Sequence, residues 1–228
     1  RPAAEALART LANTDEFYTV RAAAAESLGD MSESAALEDA MRAGIDDARV
    51  RLAVLDNLAK IGGAGPVAIL AASAADANES YACRAAALEG LGQRGGAEYL
   101  AVIEDGLAAS SQHEQVRVGA LRGLAWVNTK EALLSAIPYT RFGQLSRVRP
   151  EAISVVGKLG EWDKDAAYAA IAPLLFDTEA RTRTAAGAAL VELEEARGLA
   201  DLDRFIATTR NDSERDRAIE WRAALAAR

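Results

Sequence analysis

The chain has 228 residues, half of them hydrophobic, only 5% aromatic, and a formal net charge of −8. Ala and Leu dominate the apolar set, which suits closely packed short-side-chain helices better than a β-sandwich built from Val, Ile, Thr and aromatics. The acidic balance argues against nucleic acid as a partner, because such binders carry a basic face. The longest apolar run, Ala166 to Phe176, is broken by Pro173 and falls short of the ~18–20 residues a bilayer requires. No membrane partner is expected.

A single Cys excludes an internal disulfide and fits a reducing, cytoplasmic compartment. The sequence begins with Arg1 rather than Met. The expectation is one repeat domain over residues 1–228, cut from a longer chain.

In chain order, the apolar pattern predicts seven pairs of helices. The first pairs Pro2–Ala12 with Phe17–Leu28, and Gly29 stands where a helix C-cap is expected. The second pairs Glu33–Ile45 with Ala48–Ile61. After Gly62 and Gly63 come Pro66–Ala75 and Glu79–Leu91, with Gly92 as the expected stop. Ala97–Ala109 and His113–Val127 follow. Lys130–Phe142 then precedes Ser146–Leu159, which Gly160 ends. Lys164–Phe176 pairs with Thr178–Glu195, and Leu199–Thr209 with Ser213–Ala227. Pro138 and Pro173 fall inside first helices, where a missing N–H should bend them.

The second helices align by an Arg slot at Arg21, Arg51, Arg84, Arg117, Arg149, Arg183 and Arg217, recurring every 30 to 34 residues. A period of this size marks a stacked repeat array. Four residues after the slot stand Ala25, Leu55, Leu88, Leu121, Ile153, Gly187 and Trp221. Seven after it stand Leu28, Leu58, Leu91, Leu124, Val156, Leu190 and Ala224. These offsets share one helical face and predict the buried stripe. Small residues three and six after the slot should let neighbouring helices approach closely. The seventh repeat is dense in charge, as a terminal cap requires. The first helix, with Ala4, Ala8 and Ala12, lacks a strongly polar side, as if an upstream domain packed there.

Val20-Arg21 to Gly29, Cys83 to Gly92 and Val148 to Gly157 share a pattern: Val or Cys before Arg, Ala in the middle, Leu-Gly towards the end. The pattern resembles the HEAT-like repeats first noted in phycobilin lyases, and nearly the whole chain is covered. The resemblance implies an all-α, α–α superhelix of about seven two-helix repeats. A narrower similarity rests on Phe17 to Arg21, His113 to Leu124, and Tyr139 to Gly143 ahead of Arg147-Val148-Arg149. In this order they resemble the C-terminal HEAT region of bacterial aminopeptidase N family zinc peptidases. That family's H-E-x-x-H helix lies upstream, and none of its zinc ligands maps onto this chain.

Catalytic candidates are sparse. His113 is the only imidazole, and one His with a sequence-distant Cys does not make a zinc site. Cys83 occupies a row otherwise held by Val20, Val50, Val116 and Val148, so it is expected to be a small buried hydrophobe rather than a nucleophile. Gly62-Gly63-Ala64-Gly65 lacks the strand and Lys-Ser/Thr of a phosphate loop and reads as a turn. No cofactor or metal is expected. The Arg slots, with Asp15, Asp46, Asp177 and Asp212 in the turns ahead of them, are expected to form a structural ladder rather than an anion site.

Function should then lie on the exposed face of the second helices, five and nine after the slot, which would line the concave side of a solenoid. Its candidate partner-binding residues are Glu26, Asp56, Glu89, Arg122, Trp126 and Lys158, acidic first and basic towards the middle. Trp126 beside Arg122 has the composition of a binding hot spot. The expectation is a non-catalytic scaffold that binds a polypeptide, or an upstream catalytic domain of the same zinc aminopeptidase-like chain. The alternatives are a lyase-type HEAT protein acting on a bilin, and a free-standing assembly scaffold.

Overall fold

The computed structural model describes residues 2–228. Among them every element is helical and no strand occurs. The chain divides into two compact units, one running to Val127 and the other spanning Asn128–Arg228.

The first unit holds four helix pairs. These are α1 (Pro2–Ala12) with α2 (Tyr18–Asp30), α3 (Ser34–Ala43) with α4 (Ala48–Ile61), α5 (Ala64–Ala75) with α6 (Tyr81–Gly95), and α7 (Leu100–Ala108) with α8 (Gln115–Val127). The second unit holds α9 (Lys130–Ala136) with α10 (Val148–Leu159), α11 (Lys164–Ile171) with α12 (Ala180–Leu193), and α13 (Gly198–Thr208) with α14 (Asp212–Ala226). In each unit second helices stack on second helices, α2 on α4 on α6 on α8, and α10 on α12 on α14. Each repeat thus buries its apolar stripe only against its neighbours, as a quasi-one-dimensional array does.

The stripe follows the sequence rows through six repeats. Ala25, Leu55, Leu88, Leu121 and Ile153, then Leu28, Leu58, Leu91, Leu124, Val156 and Leu190, are all fully buried. The last repeat departs from the pattern. Helix α14 buries Ala218 and Leu225, while Trp221 is half-buried and Ala224 exposed. Arg217 is exposed too and donates only to the Thr184 hydroxyl, at 3.1 Å. Counting from a shared Arg misplaces the stripe here because α14 is charged on most of its faces.

Two expected helix stops do something else. Gly29 lies inside α2, which runs on to Asp30, and Gly92 lies inside α6, which continues to Gly95. Both face the next second helix. A Cβ on Gly29 would run into the Asn57 side chain, and one on Gly92 into the Gly123 backbone. Gly157 on α10 approaches Ala189 on α12 in the same way, its Cβ position 2.9 Å from the Ala189 Cβ. The Leu-Gly pair is a packing signal. The true stop of α6 is Gly96, at φ +68.

The prolines end first helices instead of bending them. After Ala136 and Ile171 the backbone tightens into 3-10 turns, Ile137–Thr140 and Ala172–Phe176, with Pro138 and Pro173 near their starts. A proline at the head of a new turn leaves no donor unsatisfied. The expected helix Lys130–Phe142 therefore stops short, and Phe142 lies in a loop, 84% exposed.

The Arg slot forms a ladder. The Nε groups of Arg21, Arg84 and Arg117 donate to the Leu11, Ala74 and Leu107 carbonyls, each ten residues back, at 3.0, 3.3 and 2.7 Å. Each guanidinium thus closes the C-terminal end of its own first helix, where carbonyls lack partners. Several also reach forward to an acid in the next repeat. Arg21 pairs with Asp46 at 2.9 Å, Arg51 pairs with Glu79, Arg149 with Asp177 at 2.6 Å and Arg183 with Glu214 at 2.5 Å. In these four cases the acid serves the Arg of the preceding repeat, whereas Arg117 pairs with Glu114 just ahead of its own helix.

Candidate functional site

Helices α2, α4, α6 and α8 lie side by side with their slots in register, so residues five after each slot form a row across the first unit. Glu26, Asp56 and Arg122 are exposed and Glu89 is half-exposed. One turn further along each helix lie Asp30, Lys60, Gln93 and Trp126, all exposed. Small residues on the flanks of these helices keep them close, and the close approach turns the row into a continuous surface. At the α6–α8 contact a Cβ on Gly123 would sit 2.6 Å from the Leu88 carbonyl oxygen.

The charges along the row influence one another. The Arg122 Nη1 lies 3.8 Å from Glu89 Oε2, bridging α8 to α6. The Asp56 carboxyl is held above the ordinary carboxylate range by partial burial against the packed helices; the Lys60 charge pulls it down, and the weaker Glu89 charge pushes it up. Lys60 itself donates to Asn57 Oδ1 at 3.2 Å. The surface thus carries acids at Glu26, Asp56 and Glu89, two of them close enough to feel each other. It ends at Trp126, which is 54% exposed.

Lys158, the remaining candidate, lies on α10 in the second unit and is exposed. Ser154 and Glu192 in the corresponding rows of that unit are exposed as well.

The residues with catalytic potential are dispersed. His113 is exposed in a short 3-10 turn ahead of α8, where both it and Glu114 take left-handed backbone angles, φ 54 and 57. Cys83 is fully buried. Its Sγ donates to the Ala48 carbonyl at 3.3 Å, and burial pushes the thiol above its ordinary pKa. That is the opposite of what a nucleophilic thiolate requires. Among the described residues no group of three or more His, Cys, Asp or Glu is placed to hold a metal ion. None of their helices is long and apolar enough to cross a membrane.

The candidate binding residues leave out the exposed aromatics in the turns. Phe17 is the residue before α2 and is 78% exposed, and Phe142 is exposed beyond the Pro138 turn. The available signal was their position next to turn residues, outside the repeating apolar offsets.

No family model matches the chain, and no curated protein matches it in sequence. Solved structures do. The CpcE–CpcF complex of phycocyanin lyase from Nostoc sp. is similar over 97% of this chain and 94% of that one, at 17% identity and a TM-score of 0.58. YibA of Escherichia coli is similar over 96% and 92%, at 17% identity and 0.60. Kap121p covers 92% of this chain with 27% of its own length, at 17% identity and 0.63. At these identities the likeness concerns the fold. It also overturns the expectation, drawn from the sparse catalytic candidates, that the chain is not an enzyme, because a phycocyanin lyase shares the fold across nearly its full length. The fold is all-α, of the HEAT-like α–α superhelix class.

Proposed function

We propose that the second-helix surface of the first unit docks a polypeptide carrying basic residues and an apolar anchor. The observation that carries this reading is the row itself. Glu26, Asp56 and Glu89 project from successive helices and end at the exposed Trp126. These carboxylates are acceptors with which an arriving Lys or Arg side chain can form charge-assisted hydrogen bonds. An exposed Trp flanked by Arg122 supplies the kind of side chain on which binding energy concentrates. Fold likeness to the CpcE–CpcF complex, itself an assembly of two proteins, supports a protein as the partner.

The test is a fluorescence-anisotropy titration with a labelled peptide in which Lys alternates with Leu, and a second in which Glu replaces every Lys. The first is expected to bind and the second not to. Equal affinity for both defeats the proposal.

The finer proposal is parentage: a HEAT-type region of a zinc aminopeptidase-like protein, supported by the ordered motifs around Arg21, Arg117 and Arg149. An H-E-x-x-H helix encoded upstream is the observation that tests it. A lyase-type role on a bilin is a second reading, supported by the likeness to phycocyanin lyase. Adding a bilin and seeing no absorbance change removes it.

A further inference from the structure

Two exposed features lie outside the docking row, and they are opposite in charge. The first is a groove of about 720 Å³ between α1 and α3. Ala8, Ala12, Ala36 and Ala40 supply apolar lining, and Glu5, Glu33 and Asp39 line it as well. Asp39 is held by Arg42, at 2.9 Å. Glu5 and Glu33 enter no ion pair among the described residues.

The second is the loop between the Ile137–Thr140 turn and α10. It presents Phe142 and Leu145, 84% and 57% exposed, between Arg141 and Arg147, which are exposed as well. Gly143 turns the loop tip at φ +94. The Phe142 ring lies 5.9 Å from the guanidinium carbon of the buried Arg149, a contact that steadies a ring otherwise open to water.

We propose that this loop of one molecule docks in the α1–α3 groove of a second copy. Phe142 and Leu145 would rest on the alanines, and Arg141 and Arg147 would face Glu5 and Glu33. Three observations favour a second copy. The loop is cationic on a protein of net charge −8, so the oppositely charged surface it needs is present on its own kind. The groove's volume falls in the ~300–1,000 Å³ range of sites that take a compact apolar group. Its floor is built from the smallest side chains and leaves room for large ones. The two patches differ, so the contact is heterologous: every bound copy still offers one free groove or one free loop, and association runs head to tail. One loop in one groove buries less than the roughly 1,200 Å² of a stable interface, so the contact is weak and reversible.

Sedimentation velocity of the whole chain over a wide concentration range tests this. The weight-average sedimentation coefficient is expected to rise with concentration at low salt and to rise less at high salt. E5K/E33K and R141E/R147E are each expected to weaken association at least about tenfold, the scale of losing close charge pairs. F142S/L145S should do the same. Circular dichroism checks that each variant folds. The decisive arm mixes E5K/E33K with R141E/R147E, because each then supplies the charge that the other lacks, and association should return. A protein that stays monomeric throughout overturns the proposal. So does association that ignores the loop variants, a mixture that stays dissociated, or loop-dependent binding to anionic vesicles by a monomer.

Discussion

Arg149 on α10 grips Asp177, 28 residues further along, through both terminal nitrogens, at 3.3 and 2.6 Å, while its Nε donates to the Thr140 carbonyl at 3.2 Å. The guanidinium is 1% exposed and is the largest fully buried side chain among the described residues. One residue therefore closes the 3-10 turn that follows its own first helix and fixes the turn of the next repeat. A planar fork of donors matches that double task in a way an ammonium cannot.

Removing it should be expensive. Arg149→Met leaves the Asp177 carboxylate and the Thr140 carbonyl without their donor, and breaking a buried pair from one side costs about 3–5 kcal/mol. Arg217→Met, at the same sequence slot but exposed, should stay within about 0.5 kcal/mol of the parent. Urea unfolding of both variants checks the contrast. Equal losses would show that the sequence slot, rather than burial, decides the role.

Acid should loosen the same ladder. The hydrogen bond from Arg149 holds the Asp177 carboxyl below its ordinary range, and burial opposes it. The hydrogen bond from Arg21 does the same for Asp46. A carboxyl depressed in the folded state contributes stability that is complete above the unfolded value, near 3.9. That contribution is lost as pH falls through the lower folded value. Stability is therefore expected to drop below about pH 4. Asp177→Asn should be less stable than the parent at pH 7 and should fall less steeply in acid. A parallel fall in both proteins would remove Asp177 from the account.

Gly92→Ala separates packing from propensity by sign. Propensity alone favours Ala in a helix interior, by about 0.5–1 kcal/mol. The structure sets the new Cβ against the Gly123 backbone of α8, and overpacking costs about 1–3 kcal/mol. Destabilisation is expected in thermal or urea unfolding, and a gain would contradict the close helix approach.

Cys83 should be silent in the folded protein. A thiol with no exposed surface and a raised pKa offers little thiolate to a reagent. Labelling by a maleimide is expected to follow unfolding of α6, and rapid labelling of the native chain would reverse the assignment.

The repeat and its buried stripe were legible because they depend on local period: Leu88, Leu91, Leu121 and Leu124 keep one face of a helix whatever surrounds them. The ladder was legible only in half. Arg at each slot announced a guanidinium, but the partner acids of Arg21, Arg51, Arg149 and Arg183 lie 25 to 31 residues ahead while that of Arg117 lies three residues behind, and no local pattern chooses between the turn before and the turn after. Gly29 and Gly92 looked like stops because glycine serves caps and close contacts alike, and only the neighbouring helix decides which. Pro138 and Pro173 showed that a helix would be disturbed, not that it would tighten into a 3-10 turn. In the docking row, exposure followed from periodicity. The coupling of Asp56 to Glu89 and of Glu89 to Arg122 needed adjacent helices in register.

In the docking row, Trp126 is the exposed aromatic on which binding should depend most. The most direct measurement compares the affinity of the Lys/Leu peptide for the parent, for Trp126→Ala and for Asp56→Lys/Glu89→Lys, with Lys158→Ala in the second unit as a control. Loss of an exposed hot-spot Trp is expected to cost about 2 kcal/mol or more, some thirtyfold in Kd. Charge reversal should abolish binding at low salt, and the Lys158 variant should bind like the parent. An unchanged Kd for both the Trp126 and the charge-reversed variants, with their folds intact, would contradict the account.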